Sequence, residues 1–490
     1  MHWRNWCSAW PGVKTDPMPL IEPVAVVPAA QLGAVHFIAA GGAGMSGIAA
    51  MYAELGVPTS GSDQVASPAL AALTAAGVRT FVGHDPAQLG AADTVVVSSA
   101  VRETNPELAE ARRRGLRVWH RSAALAALMV GRRGVAVTGT HGKTTTSAMI
   151  ATLLAEAGAD PSYVVGSPLT GTGRSYRLGA GEAFVVEADE SDGSFRQYPA
   201  EIVVITNVEA DHLDNWGTAE NYAAGFVALA TADAVRAVVL SADDPGARAL
   251  APAIRASGKQ IITFGESVEA DVRLSDVGFV GRGSTAQLSA ADDAGDLALA
   301  VPGRYNLLNA AAAYAVGRLL GVPGPALRAA AGRFAGTARR FQPVGEVHGV
   351  RVFDDYAHHP TEVTATLTAA RAMVGQGRLV ACFQPHLFTR TRDFADEFGQ
   401  SLSLADHVVV LGIYPAREDP IPGVTGELVA TAVRSRVGAE SVSYAESVDD
   451  GVAALAAVVR PGDLVVTIGA GSVTQVGPRL CEALNARPVP

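Results

Sequence analysis

The chain has 490 residues, of which 49% are hydrophobic and 18% are charged, a balance typical of globular proteins rather than of disordered ones. The formal net charge of −10 argues against nucleic acid as a partner, so an anionic substrate must be held by local positive groups. The cysteines, Cys7, Cys382 and Cys481, are too far apart for a disulfide framework or a paired-cysteine zinc site, which fits a reducing cytoplasm.

Pro or charged residues interrupt the apolar runs before they reach the roughly 18 residues that a membrane-spanning helix needs, so we expect a soluble protein. At ~150 residues per domain, the length predicts about three domains. Residues 1–17 contain no apolar signal core, and we interpret them as a disordered extension or as a misplaced start ahead of Met18.

A Rossmann-like fold is predicted for the first domain. The apolar run from Ala34 to Ala40 enters the glycine cluster Gly41-Gly42-Ala43-Gly44 and precedes a helix-like stretch from Met45 to Leu55, which indicates a strand, a tight turn and a helix. Apolar runs recur at Thr94 to Val97 and Leu116 to Trp119, separated by helical stretches, as in a parallel sheet with crossover helices.

Two further α/β series follow, so the predicted fold class is α/β with three domains. The second series is a central ATPase domain with a mostly parallel sheet, and the third is again Rossmann-like. We place the domains at residues 18–131, 132–336 and 337–490, with hinges near Gly131 to Gly134 and around Gly336. The predicted strands of the second and third domains are Val135 to Val137, Ala183 to Val186, Ile202 to Ile205, Ala237 to Leu240, Gln260 to Thr263, Val350 to Phe353, Leu379 to Phe383, His407 to Leu411 and Asp463 to Ile468.

A phosphate-binding loop opens the central domain. Gly139-Thr140-His141-Gly142-Lys143-Thr144-Thr145 follows a β-branched run and precedes the helix-like stretch from Ser147 to Ala157, so its backbone N–H groups can converge on the phosphates of ATP. Lys143 would contact the β- and γ-phosphates and Thr144 would ligate Mg²⁺. The chain has only three lysines, and one stands where the loop needs a compact ammonium. The alternative interpretation is a glycine-rich turn that only caps a helix.

The loop has two residues between its glycines, where the general pattern has four. This spacing resembles the loop of the Mur ligases and folylpolyglutamate synthetases, which join an amine to a carboxylate through an acyl phosphate. Four further segments resemble the Mur ligases in the same order, and the similarity extends over about residues 33 to 475. These segments are Gly41 to Gly47, Glu187 to Phe195, Asp354 to Glu362 and Phe383 to His386.

The resemblance implies metal ligands as well as a nucleotide site. Glu187 ends an apolar strand, where an acid facing the phosphate loop is placed to ligate Mg²⁺, and the resemblance implies that role. His212 is similar to the ligand of a second ion, so two Mg²⁺ ions are implied during turnover. By the same resemblance, Asn309 contacts the adenine and Asp355 lies near the ribose, with Tyr305 where the family usually has His.

In the third domain, Arg340, His358, His359 and Arg390 resemble residues that stabilise the acyl phosphate and hold the carboxylate of the incoming amino acid. Arginine suits a carboxylate because its guanidinium pairs with both oxygens. Leu387 lies where many relatives have a further arginine, which leaves Arg390 the stronger candidate and Arg392 a helper. The alternative interpretation of the histidine pair is a polar turn before Pro360.

The glycine turn of the first domain has two interpretations. By resemblance it receives the diphosphate of a UDP-sugar on Gly41, Gly42, Gly44 and Ser46, with Ser62 and Asp63 beside it. It also resembles the dinucleotide fingerprint G-x-G-x-x-G with Ala39 in the first glycine position and Asp63 about twenty residues on, which would indicate a nicotinamide-dependent oxidoreductase. A nucleotide switch that regulates a partner is a third possibility, because phosphate loops are shared by such proteins.

The resemblance implies an ATP-dependent ligation in peptidoglycan precursor synthesis. The segment from Asn207 to Ala232 contains no lysine, whereas ligases that add later amino acids carry a modifiable one there. The implied substrates are therefore UDP-N-acetylmuramate, ATP and L-alanine, with L-alanine joined to the lactyl carboxylate. A recycling ligase that attaches a murein peptide to the same UDP-sugar is the alternative within the family. We expect a monomer or a homodimer.

Overall fold

The computed structural model of the protein describes residues 20–416 and 418–486. Within these residues, the strands form three sheets of five, ten and six strands. The predicted α/β class with mostly parallel sheets is confirmed. None of the helices in the described ranges is long and apolar enough to cross a bilayer. The interpretation of residues 1–17 lies outside the described residues.

The first sheet belongs to a doubly wound fold. Its strands, as described, follow the order β3-β2-β1-β4-β5 and are all parallel, so the chain reverses its direction of winding between β1 and β4. Ligands of such folds bind at the carboxyl ends of the strands beside this point. The elements are β1 Val35–Ile38, α1 Ala43–Glu54, β2 Thr59–Asp63, α2 Pro68–Ala75, β3 Arg79–Val82, β4 Thr94–Val97, α3 Pro106–Arg113, β5 Arg117–His120 and α4 Arg121–Met129.

The second sheet contains the strand that leads into the phosphate loop. Its elements are β6 Arg133–Thr138, α5 Lys143–Glu156, β7 Ser162–Val164, β8 Tyr176–Arg177, β9 Ala183–Glu187, β10 Ile202–Ile205, α6 Leu213–Trp216, α7 Ala219–Ala230, β11 Ala237–Ser241, α8 Pro245–Ala256, β12 Gln260–Gly265, β13 Val272–Val280, β14 Gly283–Ala290, β15 Asp293–Leu299, α9 Arg304–Leu319 and α10 Gly324–Ala331. The strand order is β15-β14-β13-β12-β11-β10-β6-β9-β7-β8. β6 pairs in parallel with both β10 and β9, so the ends of all three strands meet at one edge.

The third sheet has helices on both faces. Its elements are β16 Gln342–Val347, β17 Val350–Asp355, α11 Pro360–Val374, β18 Leu379–Phe383, α12 Phe388–Asp393, α13 Ala395–Leu402, β19 His407–Leu411, α14 Glu427–Val437, β20 Val442–Ala445, α15 Val448–Val458, β21 Leu464–Ile468 and α16 Val476–Asn485. Alternate residues of β18 enter opposite cores, with Ala381 and Phe383 in one and Val380 and Cys382 in the other. A strand buried on both faces reads as a continuous apolar run, which is why β18 was predictable.

The described chain forms two compact units. The first contains the residues up to Asp276 together with Ala286–Ala298 and Leu308–Phe334, and the second contains Val277–Thr285, Leu299–Leu307 and the residues from Ala335 onward. The predicted domain boundaries at residues 131 and 336, and the predicted hinges there, stay predictions.

Two expectations about local structure are corrected. The helix after the phosphate loop begins at Lys143 rather than at Ser147, because Gly142 in the left-handed conformation serves as its N-cap. The helix after the first glycine turn likewise begins at Ala43 rather than at Met45. In both places, residues that the sequence assigned to the turn form the first helical turn.

Ala39 lies in the left-handed region, with φ of 60°, where β1 enters the glycine turn. Its carbonyl oxygen accepts a hydrogen bond from the N–H of Gly42, so the turn is closed around this residue. A side chain in this conformation costs about 1–2 kcal/mol because Cβ approaches the backbone too closely. The turn therefore has the geometry that a glycine would adopt without strain.

We predict that Ala39→Gly raises the thermal stability of the protein. Relief of about 1–2 kcal/mol of strain is opposed by the ~0.5–1 kcal/mol that the extra freedom of glycine in the unfolded chain costs. The expected gain is up to about 1 kcal/mol, which calorimetry would detect as a small rise in the melting temperature.

The matched control is Ala40→Gly at the next position. Ala40 is buried and is not among the left-handed residues, so its replacement should lower the melting temperature. A fall of similar size in both variants would show that Ala39 is not strained.

Candidate functional site

The phosphate loop requires glycine at both of its ends. Gly139 has φ of 129°, and a Cβ there would lie 2.1 Å from Oγ1 of Thr206. Gly142 has φ of 83° and is the N-cap of α5. Thr206 follows β10 and donates a hydrogen bond of 2.6 Å to the carbonyl oxygen of His141. The loop is therefore closely packed against the end of the neighbouring strand.

The segment after β10 also fixes the polar groups of the loop. The backbone N–H of His141 donates to Oδ1 of Asn207 at 2.8 Å, and its Nε2 lies 3.0 Å from Oε2 of Glu209. Oγ1 of Thr140 donates to the carbonyl oxygen of Glu209 and accepts from its N–H, at 3.0 and 2.9 Å. These contacts leave little freedom in the loop, so its backbone is preorganised.

The ammonium of Lys143 makes three hydrogen bonds. Nζ donates to the carbonyl oxygens of Gly139 and Thr140 at 2.7 and 3.0 Å, and to Oε1 of Glu190 at 2.9 Å. An ammonium has three donors, so a phosphate oxygen must replace one of these acceptors. Burial disfavours the charge of Lys143, but attraction by Glu190 and Asp189 outweighs burial and raises its pKa.

Glu190 is the buried counter-ion of Lys143. Its side chain has no exposed surface, Oε1 also accepts from the hydroxyl of Tyr222 at 3.3 Å, and Oε2 is buried without a hydrogen-bond partner. Without Glu190, Lys143 would be a charge in a nearly closed site with only carbonyl dipoles around it. The pair therefore holds the ammonium in place while the site contains no phosphate.

Two side chains with oxygen atoms, those of Thr144 and Glu187, meet beside the loop. Oγ1 of Thr144 donates to Oε1 of Glu187 at 2.9 Å, and Oε2 of Glu187 accepts from the N–H of Gly166 at 2.5 Å. A hydroxyl and a carboxylate are ligand types that Mg²⁺ prefers beside phosphates. His212 lies in the segment after β10 and has φ of 53°. Burial opposes the charge of Asp189, but attraction by Lys143 outweighs it and lowers the pKa of that carboxyl. The metal roles of Thr144, Glu187 and His212 stay predictions.

Asn309, the predicted adenine contact, lies beside the phosphate loop. A Cβ on Gly142 would be 3.1 Å from Oδ1 of Asn309, and the asparagine is buried. Thr145 is buried in the first turn of α5. Asp355 and Tyr305 lie in the second unit.

The glycine turn of the first domain is held by Asp63. Oδ2 of Asp63 accepts from the N–H of Gly41 at 2.9 Å, and a Cβ on Gly41 would lie 2.8 Å from that oxygen, so a larger residue would displace the Asp63 side chain. Gly42 and Gly44 are exposed at the N-terminus of α1, and Ser46 is half-buried. The turn therefore presents backbone N–H groups at a helix N-terminus, as a phosphate site requires.

The hydroxyl of Ser62 points into the domain. Its side chain is buried and donates to Oε2 of Glu107 at 2.6 Å. Glu107 also contacts Nδ1 of His84 at 2.7 Å and Nε2 of His36 at 3.2 Å. Burial opposes the charge of Glu107, but these hydrogen bonds outweigh it and lower the pKa of the carboxyl. The hydroxyl of Ser62 already donates its hydrogen bond to Glu107. The role of Ser62 beside the UDP-sugar stays a prediction.

In the second unit, the carboxylate of Asp355 is held by backbone. Its oxygens accept from the N–H groups of Phe341 at 2.7 Å and Ala357 at 2.8 Å. Burial raises the pKa of Asp355 to about 6, against the attraction of Arg340. The guanidinium of Arg340 lies over the ring of Tyr356 at 5.2 Å. Asp355 thus fixes the segment that carries Arg340.

The two histidines before α11 have different environments. Glu362 accepts hydrogen bonds from the N–H groups of His358 and His359 at 2.9 and 3.3 Å, which caps the helix. His359 is buried, with its ring edge-on to Phe394. Burial lowers the pKa of His358 to about 3, and the nearby charge of Arg390 adds to the effect. His358 is therefore a neutral imidazole at physiological pH.

Arg390 and Arg392 lie on the short helix α12. Nε of Arg392 lies 2.7 Å from Oδ1 of Asp393. The guanidinium of Arg392, which was predicted to help bind the carboxylate, is therefore already paired with an acid. Leu387, just before the helix, has φ of 70°. The ring of His386 stacks on that of Tyr414 and contacts the ring of His358, at 5.9 and 5.8 Å between centroids. The roles of Arg390 and Arg392 at a carboxylate stay predictions.

Sequence reasoning missed several residues that the structure brings to these sites. Glu190, Asp189 and His386 lay inside segments already singled out, so their motifs were the available signal. Arg121, Glu107 and Tyr414 had no signal, because long-range packing alone brings them to their sites.

Three family models match consecutive parts of the chain. The Mur ligase family, catalytic domain, matches residues 34–133, the Mur ligase middle domain matches residues 137–317, and the Mur ligase, glutamate ligase domain, matches residues 339–471. The chain belongs to the Mur ligase family. The predicted resemblance is confirmed, and it decides against the nicotinamide-dependent oxidoreductase and the nucleotide switch.

Two curated Mur ligases are similar to this chain over most of their length. The UDP-N-acetylmuramate--L-alanine ligase of Cutibacterium acnes is 61% identical, over 96% of this chain and 100% of that protein. The enzyme of the same name from Kineococcus radiotolerans is 54% identical, over 94% and 98%.

Two solved structures of Mur ligases have a similar fold. The UDP-N-acetylmuramate-alanine ligase of Thermotoga maritima has a TM-score of 0.77 and 27% identity, covering 92% of this chain and 99% of that one. A murein peptide ligase from Psychrobacter arcticus has a TM-score of 0.66 and 26% identity, covering 93% and 99%.

We predict that Glu190→Gln destabilises the Mur ligase in the absence of ATP and enlarges the stabilisation that ATP provides. Removing one partner of a buried ion pair costs about 3 kcal/mol because the other charge is left uncompensated. The phosphates of ATP would restore a negative partner for Lys143. Melting temperatures with and without ATP measure both effects.

Glu201→Gln is the matched control, since Glu201 pairs with Arg133 at 2.8 Å at the opposite end of the same sheet. It should lower stability without changing the shift that ATP produces. An equal ATP-induced shift in both variants would contradict the role given to Glu190.

Proposed function

We propose that the protein joins L-alanine to the lactyl carboxylate of UDP-N-acetylmuramate, with cleavage of ATP to ADP and phosphate, in peptidoglycan precursor synthesis. The observation that carries this proposal is the 61% identity over 96% of the chain to the Cutibacterium acnes enzyme named for this reaction. The phosphate loop with its buried Lys143 supports ATP as the co-substrate.

In the first half-reaction, a lactyl carboxylate oxygen attacks the γ-phosphorus of ATP. The bond from this phosphorus to the bridging β,γ-oxygen breaks, ADP leaves with the electron pair, and an acyl phosphate forms. Lys143 exchanges one of its present acceptors for a phosphate oxygen and neutralises charge in the transition state. The preorganised loop contributes backbone N–H groups to the same task.

In the second half-reaction, the amine of L-alanine attacks the acyl carbon. The bond between that carbon and the phosphate oxygen breaks, phosphate leaves, and the proton lost by the nitrogen passes to the released phosphate. Arg340 and Arg390 would hold the carboxylate of L-alanine or the charge of the acyl phosphate. His358 is neutral, so it would act as a hydrogen-bonding group rather than as a cation.

Mg²⁺ would be held by Thr144 and Glu187, whose oxygen atoms lie 2.9 Å apart beside the loop. The ion would supply positive charge at the phosphates of ATP. His212 is the proposed ligand of a second ion. Among the described residues, the hydrogen-bond partners of the Glu187 carboxylate are the hydroxyl of Thr144 and the N–H of Gly166, and neither is basic, which suits a cation ligand.

A panel of amines tests the reaction. With UDP-N-acetylmuramate, ATP and Mg²⁺, we expect phosphate release with L-alanine that exceeds the release with a tripeptide. Glycine and L-serine measure how strictly the amine is selected. Lys143→Ala should abolish release with every amine.

Two other results of this amine panel would change the proposed function. Release with the tripeptide alone would identify a recycling ligase, the activity named for the Psychrobacter arcticus relative. No release with any amine would overturn the ligation itself.

We also predict that Glu187→Gln raises the Mg²⁺ concentration needed for half-maximal phosphate release. Loss of the carboxylate should lower the affinity for Mg²⁺ by about 10- to 100-fold, the range seen when groups that support a metal site are removed. Glu182→Gln, an exposed position before the start of the same strand, is the control and should leave the Mg²⁺ dependence unchanged. If Glu187→Gln and Glu182→Gln show the same dependence of phosphate release on Mg²⁺ concentration, Glu187 is not a ligand of the metal.

A further inference from the structure

The glycine turn of the first domain lacks a positive side chain of its own. The first turn of α1 contains neither an acidic nor a basic residue, and the helix sequence from Ala43 to Glu54 contains no lysine or arginine. The N-terminus of a helix carries about half a positive charge, whereas a nucleotide diphosphate carries about two negative charges. A cation from another element would balance the remaining charge of the ligand.

Arg121 is the cation that reaches this turn. It is the first residue of α4, directly after β5, at the carboxyl edge of the first sheet. A Cβ on Gly44 would lie 2.9 Å from Nη1 of Arg121 and 3.4 Å from its Cζ. The guanidinium thus lies against the exposed backbone of Gly44, in the place where a larger residue would displace it.

The guanidinium has donors left for a ligand. Its contact to an acid is Nη2 to Oδ2 of Asp189 at 3.8 Å, which exceeds hydrogen-bonding distance. In the part of the chain that the structure describes, no protein group accepts a hydrogen bond from this guanidinium. Only 27% of the side chain is exposed, so the group is more enclosed than a solvated surface arginine.

Asp189 holds the guanidinium from the other side. Its Oδ1 accepts from the N–H of Ser191 at 3.1 Å, which fixes the carboxylate. One amino group of Arg121 thus faces Asp189 while the other faces the glycine turn. An arginine held in this way binds an anion with less loss of side-chain freedom.

We propose that Arg121 binds the diphosphate of UDP-N-acetylmuramate at the glycine turn, with Asp189 positioning its guanidinium. The assignment rests on the proposed function, because that function supplies the UDP-sugar. It adds a side-chain contact to a site otherwise formed by backbone N–H groups. A planar fork can bond two phosphate oxygens, which a lysine cannot do.

The test compares binding of four ligands to the full-length protein by calorimetry in the absence of ATP. The ligands are uridine, UDP, UDP-N-acetylglucosamine and UDP-N-acetylmuramate, and the proteins are wild type, Arg121→Gln and Arg121→Lys. We expect Arg121→Gln to weaken the binding of the three ligands that contain a diphosphate by about 10- to 100-fold and to leave the binding of uridine unchanged. Arg121→Lys should recover part of the loss.

The control variant is Arg113→Gln, whose side chain is 73% exposed and pairs with Glu110 on the surface. It should bind all four ligands as the wild type does. Melting temperatures of all variants show whether each one is folded.

Three results would overturn the proposal. If Arg121→Gln binds UDP as tightly as the wild type does, Arg121 does not contact the diphosphate. If the variant loses as much affinity for uridine as for UDP, Arg121 has a structural role. A loss confined to UDP-N-acetylmuramate would place the guanidinium on the lactyl carboxylate instead, since UDP-N-acetylglucosamine lacks that group. If wild type binds UDP-sugars but releases no phosphate with any amine, the proposed function fails while the role of Arg121 at the diphosphate survives.

Discussion

The buried ammonium of Lys143 is the constraint on which the surrounding structure depends. A charge in a nearly closed site is tolerated only when its donors are satisfied and a counter-ion is near. Two loop carbonyl oxygens and Glu190 meet this requirement, and the loop can present those carbonyls only because Gly139 adopts a conformation that other residues avoid. Packing against Thr206 then excludes a side chain at Gly139, so the conformation and the close approach both require glycine.

The acidic residues at the end of β9 and just after it face three different cations or proposed cation sites. Glu187 turns toward Thr144, where Mg²⁺ is proposed, Glu190 binds Lys143, and Asp189 faces Arg121. One short segment thus reaches several partners. The negative charge of these acids would be costly if the ligands were also negative and no cation lay between them. In the proposed complexes each acid would be separated from a phosphate by a positive group, which would let a chain of net charge −10 bind anions.

The elements that could be predicted from sequence are those whose burial is uniform. The strands Thr94–Val97, Ile202–Ile205, Leu379–Phe383 and His407–Leu411 have the bounds that their apolar runs indicated. β2 was missed because Thr59–Asp63 is polar and contains glycine, and it is recognisable only from its pairing with β1 and β3. The phosphate loop was predictable because its chemistry is local. The contacts of Glu190 with Lys143 and of Arg121 with Asp189 were not predictable, because they join residues that are 47 and 68 positions apart in the chain.

The second unit illustrates how burial divides chemical roles among residues of similar appearance. His358 and Arg340 both look like cations in the sequence, yet a buried imidazole loses its proton easily and that of His358 is neutral at physiological pH. A guanidinium keeps its charge under the same conditions. In the proposed reaction, attraction for a carboxylate or a phosphate in this unit would therefore depend on arginine. The ring of His358 contacts those of Tyr356 and His386, which fits a role in shape and hydrogen bonding. A neutral imidazole there also avoids placing a third positive charge next to Arg340 and Arg390, which would repel the ammonium of an incoming amino acid.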